Sequence, residues 1–382
     1  MRILYVISNL TYGGTETQVI AMARELSARG HTVAIYTLNR DNPRAGELEG
    51  SGISLIADQK RIKFDPAVLL RLRRFIKSFR ADIVHGYLYD GDLYSRVAAA
   101  GTGIPALNSE RNDNYSLKPL QLAGLRLTRH LAVGVIANSH AGARFAAKLF
   151  GLPDSRRHVV WNGISLDAID TRIRVITDDY KREFFGNPNV NVACLVGNIK
   201  HQKDYLLALE AADALTRGHT EWRAIFVGDQ LLDTGGYKAE VLHRFRELGL
   251  EGRAVFAGLR RDVVEIMSRC DVVFSTSLHE GFPNVVLEAM AAGAPVVSTD
   301  YSDIRLILPF PWQVVPERTP EAMAAAILKA HAERNILIPA QRAWVEAHAT
   351  ISAAVDNLER VYRAYLSGLG RPLYGIHTET KS

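Results

Sequence analysis

Short, uninterrupted apolar runs alternate with segments of helical period along nearly the whole chain, and that alternation leaves few folds open. Ile3-Leu4-Tyr5-Val6-Ile7 offers no polar residue to water, the pattern of a strand covered on both faces. After the turn at Gly13-Gly14, residues 15–29 set Val19, Ala23 and Leu26 on one helical face, Gly30 stops the helix, and 31–38 reads as the next strand. A strand–helix–strand unit of this length implies a right-handed crossover and a parallel sheet. The pattern continues with strands over 81–88, 104–108, 133–138 and 158–161, and helices over 66–79, 92–100, 119–131 and 141–150.

Asn162-Gly163 marks a turn, and the polar, weakly periodic stretch 164–189 reads as a crossover between domains. A second series follows, with strands over 192–196, 222–227, 254–257, 272–276 and 295–299. Helices over 204–216, 236–248, 261–269 and 284–292 separate them, and further helices are predicted over 322–332 and 351–369. The expectation is an α/β protein of two doubly wound Rossmann-like domains. In such sheets ligands sit at the carboxyl ends of strands, so the loops after strands are where chemistry is sought.

Composition narrows the function. With 382 residues, 47% apolar and a net charge of +5, the chain can bury two cores, which excludes disorder as its main state. Two cysteines exclude a disulfide scaffold and point to the cytosol. No run approaches the ~18–20 apolar residues of a membrane span, and the opening run is too short for a signal-peptide core. Charge is uneven: residues 1–160 hold 22 Lys and Arg against 13 Asp and Glu, a net of +9, and the remainder is net −4. A basic front half suits an acidic partner such as phosphate or anionic lipid, and equally a solvated basic face.

The most informative stretch is VVFSTSLHEGFPNVVLEAMAAGAPVVSTD, residues 272–300. A strand runs into LHEGFP, and a helix begins near Asn284, a favourable N-cap. The open amide groups and dipole of a helix start make a seat for phosphate. Gly281 permits close approach of the backbone and Pro283 a rigid entry. Glu280 before the helix and Glu288 one turn into it would flank that seat. Carboxylates are poor phosphate ligands and good hydroxyl acceptors, so the pair suits a molecule with hydroxyls on both sides of a diphosphate, a nucleotide sugar.

Here the sequence resembles the GT-B retaining glycosyltransferases of family 4, whose donor signature matches Glu280-x7-Glu288. Gly13-Gly14-Thr15-Glu16, ADIVH, ANSHAG, VVWNGI and VGNIKHQKDY fall in the family's order. The resemblance implies two domains facing a central cleft. An acceptor-binding domain would cover 1–165, and a linker with the donor domain 166–350. A helix over 351–370 would cross back to the first domain, leaving a polar tail at 371–382. It also implies that Glu288 accepts bonds from ribose, that Glu280 lies near the transferred sugar, and that Phe282, Pro283, Asn284 and Val285 present backbone to sugar and diphosphate. Lys203 would neutralise the leaving diphosphate, Gly14 would approach the donor phosphates, and Leu259 and Arg260 would border the base.

Two positions depart from the family. Asn198 stands where Arg is expected, with Asp204 in place of a Gly and Lys200 near enough to supply the charge. ALNSERND replaces a strand ending in His, so Glu110 or Arg111 occupies the place near the reacting sugar, and Arg111 becomes a candidate phosphate or acceptor contact.

The expected activity is transfer of a sugar, UDP-linked by preference, to a glycan or lipid-linked acceptor, with hexose or N-acetylhexosamine as the group moved. A nucleotide-sugar epimerase or a non-catalytic binding protein are the alternatives. No metal, no cofactor beyond the donor and no nucleic acid are expected. Asp90-Gly91-Asp92 reads as a loop residue and a cap for helix 92–100 rather than a metal motif. His85, at a strand end, is weighed evenly as substrate contact or structural residue. The stretch 61–80 holds seven basic residues and one acidic beside a stripe of Leu69, Leu72, Phe75, Ile76 and Phe79. It reads as a core-packed helix with a basic face, or as a docking element for anionic lipid at the inner face of the cell membrane.

Overall fold

The structure, a computed structural model, describes residues 1–112, 117–176, 179–229 and 236–368. It divides into two units, one of Met1–Gly163 with the segment from Ile351 onward, the other of Ile164–Thr350. The polar tail expected at 371–382 lies outside the described residues.

The first unit holds seven parallel strands: β1 (Arg2–Ile7), β2 (Thr32–Thr37), β3 (Ser54–Ala57), β4 (Ile83–Gly86), β5 (Ala106–Glu110), β6 (Gly134–Ala137) and β7 (Arg157–Val159). Their order across the sheet is β3-β2-β1-β4-β5-β6-β7. Side chains alternate between faces: Ile3, Tyr5 and Ile7 enter one core with Val19, Ala23 and Leu26, whereas Leu4 and Val6 enter another with Leu72 and Ile76. Both faces are thus covered, as the unbroken apolar run of β1 requires.

The second unit holds β8 (Asn191–Val196), β9 (Trp222–Val227), β10 (Ala254–Gly258), β11 (Val272–Ser275), β12 (Val296–Thr299) and β13 (Val314–Val315), in the order β10-β9-β8-β11-β12-β13. In each sheet the chain builds outward in one direction, then returns to the middle and builds the other way. The strand order reverses between β1 and β4, and between β8 and β11.

Several expectations need correction. The stretch read as an irregular crossover contains two helices, Leu166–Arg174 and Tyr180–Phe185. They are polar because tertiary ion pairs fasten them, Asp170 to Arg342 at 2.8 Å and Arg172 to Glu265 at 2.6 Å in the first, Lys181 to Asp271 at 2.7 Å in the second. The helix expected at 92–100 spans Leu88–Ala99. Asp90 therefore lies in its first turn, paired with Lys60, and Asp92 faces inward, accepting a bond from the Ser109 amide at 3.0 Å, so it caps nothing. A helix over Arg334–His348 was not anticipated; it carries Pro339, a residue that argues against helix interiors.

Candidate functional site

At the strand-order reversal of the second sheet, the end of β8, strand β11, the first residue of β12 and the start of helix Asn284–Ala291 border a cavity of about 140 Å³. Lys203, Glu280, Phe282, Pro283, Asn284 and Val285 line it, with Tyr301 from the loop after β12. Six side chains named from the sequence thus share one opening. Pro283, not Asn284, holds the N-cap position, and Asn284 is the first helical residue. Glu288 follows one turn into the same helix and is half-buried.

Lys203 ends a short 3-10 turn between β8 and helix Tyr205–Gly218. A Cβ on Gly197 would come within 2.9 Å of Lys203 Cε, so the glycine makes room for the lysine stem. The Lys203 ammonium lies 2.5 Å from Glu280 Oε1. Glu280 is held on two further sides, by Ser277 Oγ at 3.1 Å and Gln202 Nε2 at 3.0 Å. Asp204 takes φ +48°, ψ +61°, the left-handed conformation natural to glycine, which accounts for the departure noted at this position. Aspartate tolerates it because its carboxylate caps the helix, accepting from the Leu207 amide at 3.3 Å and from Arg318 at 2.6 Å.

The loop from Thr276 to Phe282 is braced by side chains at four of its carbonyls. Arg318 donates to the carbonyl of Thr276 at 2.7 Å and to that of Ser277 at 3.1 Å, and Thr299 Oγ1 also reaches Ser277 at 2.8 Å. Gln202 donates to His279 at 3.0 Å, and Ser302 Oγ to Gly281 at 3.1 Å. Arg318, Gln202, Tyr301 and Ser302 were not singled out from the sequence. Tyr301 and Ser302 follow a strand, so the rule that chemistry lies in such loops could have found them; Arg318 carries no local signal.

Desolvation raises the Glu288 carboxyl to about 7, opposed by the charges of Arg172 and Lys203. The remaining candidates of this unit do not line the cavity. Asn198 is half-buried after β8, and Leu259 is exposed after β10. Arg260 is committed to Asp262 at 2.7 Å and Glu183 at 3.0 Å, against the rings of Tyr180 and Phe184.

In the first unit, Gly14 is exposed at the start of the helix after β1. Arg111 follows β5; its guanidinium donates to Asn162 Oδ1 at 3.0 Å and lies 5.1 Å from the Tyr87 ring. Glu110 folds inward and accepts from the Arg111 and Asn112 amides at 3.0 Å each, so it sets the direction in which Arg111 leaves the strand. His85 lies in strand β4, inside the first unit. It is fully buried, with the Tyr362 hydroxyl 2.6 Å from Nδ1 and Ser109 Oγ 2.8 Å from Nε2. Burial holds its imidazole well below the usual range, and therefore neutral.

Two doubly wound parallel sheets on one chain, with a cavity at the reversal of the second, define the GT-B class of fold. Residues 12–168 match the family model described as Glycosyltransferase Family 4, and residues 190–333 that described as Glycosyl transferases group 1. The chain belongs to the family 4 glycosyltransferases. It is similar to the UDP-Gal:α-D-GlcNAc-diphosphoundecaprenol α-1,3-galactosyltransferase of Escherichia coli, 26% identical over 64% of this chain and 62% of that one. The phosphatidyl-myo-inositol mannosyltransferase of Mycobacterium tuberculosis is 24% identical over 82% of both chains. The chain thus spans under two thirds of the first relative. Among solved structures, HepE of Anabaena in complex with UDP superposes with TM-score 0.79 at 20% identity, covering 95% of this chain and 100% of its own.

Proposed function

We propose that this protein transfers a glycosyl group from a nucleoside-diphosphate sugar, UDP-linked by preference, to a hydroxyl of a glycan or lipid-linked acceptor with retention of configuration. The observation that carries this reading is the Lys203–Glu280 pair at the mouth of helix Asn284–Ala291, with Glu288 one turn further in. What the similar proteins act on or hold supports it: a UDP-sugar and lipid-linked acceptors for the two relatives, and UDP bound to HepE. The donor takes the second unit and the acceptor the first, near Arg111.

In this reading the donor's diphosphate draws Lys203 from Glu280 and meets the amide groups at the helix start, while Glu288 accepts from the ribose hydroxyls. Glu280, released from the lysine, accepts from hydroxyls of the sugar. The bond from the anomeric carbon to the diphosphate oxygen breaks, its electron pair leaving with the phosphate. The acceptor oxygen bonds to the same carbon from the same face, and its proton passes to the leaving phosphate oxygen. Lys203 and the helix dipole stabilise the charge that grows there.

The test is a thermal-shift screen against UDP-, GDP- and ADP-sugars, followed by Lys203→Ala with the best donor. The variant should lose turnover by about 10²–10³-fold while donor affinity falls far less. No stabilisation by any nucleotide sugar, or normal turnover in the variant, refutes the reading.

A further inference from the structure

Among the described residues, four other than glycine hold a positive φ: Arg80, Leu88, Asp204 and Ser302. Two of them stand in loops that border the cavity, Asp204 directly after Lys203 and Ser302 directly after Tyr301. Such strain persists where the surroundings over-determine it, and it gathers at functional sites. Asp204 is accounted for by its cap and by Arg318. Serine gains no comparable ease in this conformation, at φ +48°. What the conformation delivers is the Ser302 hydroxyl, 3.1 Å from the Gly281 carbonyl.

That carbonyl belongs to the peptide joining Gly281 to Phe282. A trans peptide is planar, so holding its oxygen also fixes the direction of the Phe282 N–H. Glycine leaves this peptide more freedom to rotate than any other in the loop. The carbonyls of Thr276, Ser277 and His279 are braced by Arg318, Thr299 and Gln202, and among the side chains described Ser302 alone reaches that of Gly281. Tyr301 anchors the bracing segment, its hydroxyl 3.0 Å from Ser275 Oγ at the cavity wall.

We infer that Ser302 is a positioning residue of the donor site: its strained backbone holds a hydroxyl that locks the Gly281–Phe282 peptide in the orientation that receives the donor. The inference rests on the donor reading above. Ser302→Gly removes the hydroxyl and the strain together, Ser302→Ala removes the hydroxyl alone, and Ser302→Thr keeps the hydroxyl at greater strain. By calorimetric titration with the nucleotide sugar selected in the screen, the Gly and Ala variants should bind about three- to tenfold more weakly, as expected for one lost hydrogen bond. Without ligand, the Gly variant should melt at or above the native temperature and the Thr variant below it, with Thr retaining native affinity. Stability and affinity would then move in opposite directions, which a merely structural serine cannot produce. Native binding by both the Gly and Ala variants overturns the inference and leaves the donor reading intact. Absence of binding by the native protein overturns the donor reading, and the inference with it.

Discussion

Glu288 is the residue whose charge state decides most. Burial raises its carboxyl from the ordinary glutamate range to about 7. The proposed role needs a carboxylate, since ribose hydroxyls must donate to it. Donor affinity should therefore climb between pH 6 and pH 8 by about tenfold, as the ionised fraction rises through that value. The unliganded protein should show the opposite trend. A carboxyl raised on folding contributes stability that is full below pH 4.5 and is lost as pH rises through about 7, up to about 3 kcal/mol. Glu288→Gln should flatten both profiles and bind donor weakly at every pH, read by titration calorimetry and melting at matched ionic strength. A variant that keeps the native rise in affinity would remove Glu288 from the site.

Among the elements, the basic segment keeps a double reading. Helix Pro66–Ser78 buries Val68, Leu72 and Ile76 in the first unit's core, so its stripe is structural, as one of the two expectations had it. Two of its arginines are committed, Arg71 to Asp58 and Arg73 to the carbonyls of Ala98 and Ala100. Yet Ile62 at 61% and Leu70 at 56% exposure, with Phe64, stand in water beside exposed Arg61, Lys63, Arg74 and Lys77. No helix among the described residues is long and apolar enough to cross a membrane. Peripheral docking remains our proposal, with each near-surface cation adding ~1 kcal/mol on anionic lipid. Vesicles containing phosphatidylglycerol should sediment the native protein and release the Ile62→Ser/Leu70→Ser variant, whereas neutral vesicles should retain neither. Equal binding to both vesicle types ends that reading.

The same scale shows what could be read in advance. The strands and the donor loop were legible because their signals are contiguous: β1 in one apolar run, the loop in HEGFPNVVLE. The helices Leu166–Arg174 and Arg334–His348 were not, because the Asp170–Arg342 pair that fastens them spans the length of the unit. Arg318 escaped for the same reason, acting on a loop about forty residues away, whereas Ser302 stood in a loop after a strand and was passed over. His85 admitted both readings because a strand-end position says nothing of which helix will cover it.

For the whole molecule, the first unit is discontinuous in sequence. Helix Ile351–Leu366 places Ala354, Val355, Leu358, Val361 and Tyr362 in the core that holds Ile3, Tyr5 and Leu26. Polar contacts fix its register: Tyr362 to His85, Tyr365 to His158 at 2.9 Å, and Glu359 to His31 at 3.1 Å. Burying each large apolar side chain contributes about 1.5–3 kcal/mol, so four of them approach the whole stability of an ordinary domain, about 5–15 kcal/mol. Their loss would also leave His85 facing a void, and Arg29 without Asp356 at 2.6 Å. The second unit, Ile164–Thr350, uses none of this helix in its own core. A chain ended after Thr350 should therefore lose the calorimetric transition of the first unit while keeping that of the second, and the surviving transition should still shift upward with the selected nucleotide sugar. Glycosyl transfer should vanish although donor binding persists, because the unit proposed to take the acceptor no longer folds. Two native-like transitions in the shortened chain would show that the first unit closes its core without the returning helix.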